Sequence, residues 1–212
     1  MTSSASRAQL EQWISADRFS KYLTATNCSD PVALYEWNSN LASAAFEIIG
    51  HTEVLLRNAI HRHLAARSGQ TSWYDDASYG FNGQTRNDIA NAKSRARSQG
   101  GRLTGGRVVA QLSFGFWRYM LSSTYQATVW PRASRAFQGV PRSQRDRRTI
   151  ERMVIGINNT RNRIAHAESV FDLPADRLEK DIIDFAALID PKAAAWIKSI
   201  SRVGTVLAVR PE

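Results

Sequence analysis

Residues 30–69 read DPVALYEWNSNLASAAFEIIGHTEVLLRNAIHRHLAARSG and follow one helical pattern throughout. Asp30 followed by Pro31 is typical of a helix start, because the aspartate side chain caps free backbone N–H groups and proline at the first helical position has no N–H to leave unpaired. Apolar residues then recur at three- and four-residue spacing until Gly69, and glycine is common just past a helix end. We predict one long helix here, straight or bent near Gly50.

The remaining segments show the same helical periodicity, and none alternates convincingly at the two-residue period of a β-strand. We therefore predict an all-α fold in a single domain over 1–212, since no internal repeat or clean linker divides the chain. Residues 1–26 are predicted as an N-terminal helical extension. Further helices are predicted over 85–98, over 108–121, from a capping-box-like start at Ser143 and Asp146 to about Ile164, from 172–174 to 189, and over 193–200. The apolar tail 203–209 fits an edge strand, a docked arm or a loose end.

Two stretches between these helices are predicted to be loops. Residues 73–83 (WYDDASYGFNG) combine aromatic and turn residues, so we expect the rings to pack against the bundle. Stacking of Trp73 and Tyr74 on nucleic-acid bases is the alternative. Residues 100–106 (GGRLTGG) are glycine-rich like a phosphate-binding loop but lack its Gly-Lys-Ser/Thr ending, and we interpret them as a hinge or surface loop.

Length and composition exclude several classes of protein. A chain of 212 residues with 43% apolar residues can bury a core, which excludes disorder throughout. Its longest apolar runs are a few residues, far below the roughly 20 that cross a bilayer, and its start lacks an apolar signal core. We therefore expect a cytoplasmic protein with no membrane partner. The single cysteine, Cys28, cannot form an internal disulfide and is interpreted as an inert thiol.

The positive charge of the chain is concentrated in one segment. The net charge is +9, yet residues 86–148 alone hold 13 basic and two acidic residues, a net charge of +11. Of the 28 basic residues 23 are arginines, whose planar fork matches phosphate oxygens in pairs. GC-rich coding explains a preference for arginine over lysine but not the clustering. The segment is therefore predicted to contact nucleic acid.

The histidines of the long helix are not spaced as metal ligands. His61 and His63 lie about 200° apart around a helix, unlike the i, i+4 pairs that hold a metal, and His51 has no histidine at that spacing either. We interpret all three as surface or interface residues. The 19 acidic residues are mostly scattered, so the sequence predicts no metal site and no cofactor.

The fourth histidine lies in the segment NNTRNRIAHAESVF, residues 158–171. Five helical residues separate Arg161 from His166 by about 140°, so their side chains converge only where the helix ends or where a second copy contributes. Histidine exchanges protons near neutral pH, and arginine stabilises charge that builds on a phosphoryl group. A purely structural helix end is the alternative for this spacing.

Residues 161–166, RNRIAH, resemble the R-x4-6-H motif of HEPN-domain ribonucleases, in the form typical of the Abi-like (abortive infection) family of bacterial defence proteins. Two further patches are similar to that family and occur in its order: EVLLRN at 53–58 and LSFGFW at 112–117. His166 is followed by Ala-Glu-Ser where many relatives have His-Glu-Pro, which removes the basis for a second histidine in the site.

The resemblance implies an all-helical HEPN bundle with additional peripheral helices, a homodimer whose two motifs face each other, and metal-independent cleavage of RNA. In that scheme one protomer's His166 removes the 2′-OH proton and the other's protonates the leaving 5′-oxygen. Arg161 would hold the non-bridging oxygens, and Asn162 would orient the phosphate or the imidazole. Glu53 and Arg57 would brace this corner, an exposed i, i+4 ion pair being the alternative.

The expected partners are RNA, a second copy of the chain and an antitoxin, either protein or RNA, because a growth-arresting toxin must be restrained. The arginines expected to bind RNA are Arg95, Arg97, Arg102, Arg107, Arg142, Arg145, Arg147, Arg148 and Arg163. Two alternatives to an endoribonuclease of phage defence or a toxin–antitoxin pair remain: a non-catalytic RNA-binding HEPN module, and a dimerisation protein whose motif only closes a helical interface.

Overall fold

The computed structural model describes residues 5–26 and 28–212, and within them the chain forms eleven α-helices and no β-strand. The prediction of an all-α fold is confirmed. The helices are α1 (Arg7–Ile14), α2 (Ala16–Leu23), α3 (Pro31–Ser68), α4 (Gly83–Ser98), α5 (Gly105–Ala110), α6 (Phe114–Met120), α7 (Trp130–Ala133), α8 (Arg147–Ala165), α9 (Ala175–Ile189), α10 (Pro191–Ile200) and α11 (Val203–Leu207). The first four residues of the predicted 1–26 extension lie outside the described residues.

Helix α3 is the long helix predicted from the opening segment, and it continues through Gly50 without interruption. The Asp30 carboxylate accepts hydrogen bonds from the backbone N–H groups of Val32 (2.9 Å) and Ala33 (3.1 Å). Gly69 follows the helix with φ at 68°, the left-handed conformation that favours glycine. Helices α1, α2, α6, α7, α8, α9, α10 and α11 all contact α3, which is therefore the axis of the bundle.

The N-terminal helices pack onto this axis. The ring of Tyr22 on α2 lies 5.3 Å from the ring of Tyr35 on α3 and 5.1 Å from Phe171, measured between centroids. Phe19 is fully buried beside them. The predicted extension is thus joined by aromatic contacts to α3 and to the turn that follows α8.

The aromatic loop after α3 packs as predicted. Trp73 and Tyr79 are buried and their rings meet edge to face. The indole Nε1 of Trp73 donates to Nδ1 of His61 at 2.9 Å, so this histidine is a structural acceptor. Burial, followed by the charge of Arg62, lowers the pKa of His61, which keeps the imidazole neutral for that role.

The prediction of a single apolar helix over 108–121 is wrong, because this segment forms two helices, α5 and α6, in the structure. Ser113 begins a new helix by accepting a hydrogen bond from the N–H of Phe116 at 3.2 Å. Phe114 and Trp117 are buried in the core, as expected. A capping serine within an apolar run thus overrides the periodicity around it.

The starts of two helices also differ from prediction. Asp146 alone caps α8, by accepting from the N–H of Thr149 at 2.7 Å, whereas Ser143 lies in a separate 3₁₀ turn. The predicted capping box is therefore wrong. Thr104 caps α5, so the last two glycines of the 100–106 loop belong to that helix.

The tail is a docked arm, which resolves the three alternatives left by the sequence. Residues Val203–Leu207 form α11, and Val203 is fully buried. The carbonyl of Val206 accepts a hydrogen bond from Nε1 of Trp37 at 2.7 Å, which fastens α11 to the first half of α3. Among the described residues, no helix has both the length and the apolar character that a membrane crossing requires.

Candidate functional site

Three helices bring the motif patches together. The patch 53–58 lies on α3, the patch 112–117 ends on α6, and the patch 161–166 lies at the end of α8. Each of these helices contacts the other two. Segments about 50 residues apart in sequence therefore share one region of the fold.

Arg161 lies in the last turns of α8 and reaches toward α3. Its guanidinium carbon is 5.9 Å from the centroid of the Phe46 ring, within the range of a cation–π contact. Its Nε is buried and has no hydrogen-bond partner among the described residues. An unpartnered buried donor costs about 1–3 kcal/mol, so a movement of the side chain that brought Nε to a ligand oxygen would recover that cost.

Glu53 faces this guanidinium from α3. Burial raises the pKa of its carboxyl group, and the positive charges of Arg161 and then Arg57 oppose that rise. Arg57 itself donates from Nη1 to the backbone carbonyl of Ala110 at 3.5 Å, rather than to Glu53, in the described contacts. Glu53 thus neutralises a pair of arginines through space instead of closing an exposed ion pair with one of them.

The raised pKa of Glu53 predicts a pH dependence of stability. The folded protein holds this proton more tightly than the unfolded chain, so the free energy of unfolding falls as pH rises from the unfolded carboxyl range through the folded pKa. Glu53→Gln has no carboxyl group to titrate, so its free energy of unfolding should rise relative to that of the wild type over that pH interval. The gain should be small, since solvent screens a half-buried carboxylate. Urea unfolding at a series of pH values measures it, and a difference that is constant with pH would contradict the assignment.

His166 caps the C-terminal end of α8 and its side chain is exposed. Its N–H donates to the carbonyl of Asn162 at 2.9 Å, and its carbonyl accepts from Nη2 of Arg18 at 3.4 Å. The helix therefore ends within the motif, which is one of the two conditions for Arg161 and His166 to converge. Arg161 contacts α3 while His166 faces solvent, so no direct bond joins the two side chains in the described structure.

The turn after His166 is strained. Ala167 has φ at 53°, a left-handed conformation that L side chains rarely adopt. The N–H of Glu168 donates to the carbonyl of Arg163 (2.8 Å) and the N–H of Ala167 to that of Ile164 (2.9 Å), a Schellman-type ending in which glycine is the usual residue.

Replacing Ala167 with glycine should therefore stabilise the protein by about 1 kcal/mol, because glycine adopts this conformation without steric cost. In a chain of this size that gain corresponds to a rise in Tm of roughly 2–4 °C. Thermal denaturation measures it. Ala165→Gly, two residues earlier and inside the helix, is the matched control and should lower Tm, since glycine is a poor helix former. Equal effects of the two variants would contradict the role of the turn.

Three of the arginines expected to bind RNA make hydrogen bonds to other groups of the protein, and one of the three is also buried. Arg163 donates to the carboxylate of Asp172 at 2.7 Å and to the carbonyl of Ser169, bracing the turn after α8. Arg147 is only 8% exposed and pairs with Glu151. Arg145 donates to the carbonyls of two residues, 134 and 140. The burial of Arg147 opposes the predicted contact of this residue with RNA. A count of charges along the sequence cannot detect that burial.

The other six are on the surface. Arg95, Arg97, Arg102, Arg142 and Arg148 are exposed and Arg107 is half-buried. Arg95 donates from Nη2 to the carbonyl of Gln111 at 2.8 Å, and the preceding carbonyl, that of Ala110, accepts from Arg57. Consecutive residues are about 3.8 Å apart, so the guanidinium groups of Arg57 and Arg95 are neighbours at the α5–α6 junction. The basic surface of α4 thus adjoins the motif region.

Sequence reasoning missed Phe46 and Arg18. Phe46 precedes Glu53 by seven residues, which places both within about 20° on one face of α3, so helical periodicity could have found it. Nothing in the sequence signals the Arg18 contact, because 148 residues separate it from His166. Within the described residues, no group of three or more His, Cys, Asp or Glu side chains is arranged to hold a metal ion.

Comparison with models of known protein families identifies the family of this chain. A family model described as "Abi-like protein" matches residues 6–172, a region that contains all three motif patches. No curated protein and no solved structure is significantly similar to the chain. Because the match extends from α1 through the turn after α8 and covers well over half of the chain, the protein belongs to the Abi-like family.

Proposed function

We propose that this protein is an endoribonuclease that cleaves RNA without a metal cofactor and acts as a homodimer. One observation carries the proposal: the last turns of α8 combine an exposed imidazole, His166, with the half-buried guanidinium of Arg161, whose Nε has no partner among the described residues. Membership of the Abi-like family suggests a role in abortive infection, for which destruction of cellular RNA is a suitable chemistry.

The reaction needs two proton transfers at one phosphate. The ribose 2′-oxygen attacks the adjacent phosphorus as its proton passes to a base, and the bond from phosphorus to the 5′-oxygen breaks as that oxygen takes a proton from an acid. A neutral His166 serves as the base and a protonated one as the acid. Arg161 stabilises the negative charge on the non-bridging oxygens, and the exposed amide of Asn162 orients the phosphate or the ring. The products are a 2′,3′-cyclic phosphate and a 5′-hydroxyl.

A second copy of the chain supplies the second imidazole. One His166 cannot be base and acid in the same step, and the described part of one chain holds no other histidine in the 161–166 motif. The surface beside Arg161 also suits an interface, because Phe46, which contacts the Arg161 guanidinium, is 42% exposed. Exposed large apolar side chains next to a functional site are typical of contact surfaces. We infer that two copies pair across this face.

Substrate binding is assigned to the basic surface of α4. Its exposed arginines attract the phosphate backbone without regard to sequence, and the α5–α6 junction leads from Arg95 to Arg57 and the motif. A nuclease that binds RNA in this general way must be restrained in its host. A protein or RNA antitoxin that covers the basic surface would do so, consistent with a toxin of abortive infection.

Incubation of the purified protein with mixed RNA and excess chelator tests the proposal. We expect cleavage to survive the chelator and to leave 2′,3′-cyclic phosphate and 5′-hydroxyl ends. An all-2′-deoxy strand of the same sequence should bind but stay intact, because it lacks the attacking oxygen. Strict dependence on magnesium, or 5′-phosphate products, would refute the mechanism. Binding of RNA with no cleavage would favour the non-catalytic RNA-binding alternative.

A further inference from the structure

A cavity of about 370 Å³ lies beside the motif, between α2, the first half of α3 and the turn after α8. Its lining includes Tyr22, Tyr35, Ser39, Phe46, Ala167 and Glu168. The volume is within the range of ligand pockets, roughly 300–1,000 Å³. Nothing in the chemistry of phosphate cleavage uses this cavity.

Two residues of the lining adjoin the two groups of the proposed reaction, Arg161 and His166. Phe46 forms part of its lining and lies under the guanidinium of Arg161. Ala167, which is also in the lining, directly follows His166 in the sequence. A phosphate placed between Arg161 and His166 would therefore have an adjoining nucleotide at the mouth of the cavity.

The lining combines aromatic rings and hydroxyl groups with one charged side chain, Glu168. Tyr35 and Phe46 offer surfaces on which a base can stack. The hydroxyl of Ser39 donates to the carbonyl of Tyr35 at 3.0 Å, and the Asn38 side-chain oxygen accepts from the N–H groups of two residues, 170 and 171. The carboxylate of Glu168 makes no hydrogen bond or ion pair in the described contacts. Glu168 is thus the one carboxylate of the lining, and it is free to accept hydrogen bonds from a ligand.

We propose that this cavity binds a guanine base of the nucleotide adjoining the scissile phosphate, with Glu168 as the residue that selects it; this rests on the proposed RNA cleavage. A carboxylate only accepts hydrogen bonds, and its two oxygens match two parallel donors. Guanine presents such a pair, N1–H and N2–H, on its Watson–Crick edge. Adenine and cytosine place an acceptor nitrogen beside their amino group, and uracil has one N–H between two carbonyl oxygens, so each of these bases directs at least one acceptor at the carboxylate.

The experiment uses 2′-deoxy oligonucleotides that contain a single ribonucleotide, and therefore a single cleavable linkage. The base on each side of that linkage is varied among the four in turn. We expect kcat/KM to be highest with guanine at one of the two positions. Glu168→Gln should lower kcat/KM for that substrate about tenfold to a hundredfold, because it replaces one acceptor oxygen with a donor, and should change the others little. Glu36→Gln, an exposed carboxylate of α3 that does not line the cavity, is the matched control and should change none.

A binding assay separates this inference from the proposed function. Fluorescence anisotropy measures the affinity for uncleavable all-2′-deoxy strands with and without the guanine, and this measurement does not depend on cleavage. Guanine-dependent binding that Glu168→Gln abolishes supports the cavity even if no cleavage occurs. Cleavage with no base preference, a preference that survives Glu168→Gln, or equal binding of all strands overturns the inference and leaves the proposed function to its own test. Ala42→Leu, which fills the cavity from α3, should weaken guanine-dependent binding in the same assay.

Discussion

Replacing His166 with alanine is expected to lower kcat/KM for RNA cleavage about 10²–10⁴-fold, the usual contribution of general acid–base groups. The fold should not change, because the imidazole is exposed and the contacts of this residue within the protein are made by its backbone N–H and carbonyl. RNA binding should be retained, since the basic surface of α4 is untouched. Cleavage assays on defined RNA, with circular dichroism as the check on folding, measure this effect. His63→Ala, a half-buried histidine of α3 outside the motif, is the control and should cleave normally.

Mixing the two chains tests whether both copies of His166 serve one site. If they do, adding an equal amount of the His166→Ala chain to wild type and allowing exchange should lower total activity to about half, because random pairing leaves half of the wild-type chains in mixed dimers. Independent active sites in each chain would leave total activity unchanged. Full activity of His166→Ala itself would end the assignment of His166 as the acid and base of the reaction.

Gly139→Ala is expected to cost about 2–4 kcal/mol of stability, the range of severe overpacking. A Cβ at this position would overlap the carbonyl oxygen of Ala187 and lie 2.9 Å from its carbonyl carbon. The backbone at Gly139 is held there by a hydrogen bond from its N–H to the carbonyl of Leu188 at 2.9 Å. Neither the end of α9 nor the backbone around Gly139 can move away from the other without breaking this hydrogen bond.

Gly156→Ala provides the opposite case for comparison. Gly156 lies within α8, where a Cβ would meet nothing within 4 Å, so alanine should stabilise the helix by up to about 1 kcal/mol. Urea unfolding of the two variants measures both effects. Destabilisation of the same size in both would mean that the close approach at Gly139 is not what limits substitution there.

Local signals in the sequence were enough to predict the framework. The cap at Asp30, the apolar stripe of α3 and the end at Gly69 are all short-range features, and the structure has each of them. Prediction failed where two short-range signals competed. At Ser113 the capping hydroxyl overrode an apolar run, and at Ser143 a plausible cap lost to Asp146 three residues later.

The motif could be found in the sequence, but the contacts of its charged residues could not be predicted from it. The residues of the motif, Arg161 to His166, are contiguous in the sequence and can therefore be recognised without a structure. Arg163, in the same run, is held by Asp172 across a turn whose path depends on the left-handed Ala167. The burial of a charged residue and its contacts across a turn exist only in the folded chain. Composition therefore cannot distinguish arginines that bond within the protein, such as Arg163, from arginines that are exposed to solvent.

Helix α3 sets the distances between the groups that the proposed function and the proposed base-binding cavity use. Its 38 residues form a continuous rod about 57 Å long, with Tyr35 and Phe46 at the cavity, Glu53 near Arg161, and Arg57 at the α5–α6 junction. Each residue advances 1.5 Å and turns about 100°, so inserting or deleting one residue between Phe46 and Arg57 would swing one set of groups away from the other. Relatives with a different ligand preference should thus differ in the side chains along α3, while the number of residues between Phe46 and Arg57 stays constant.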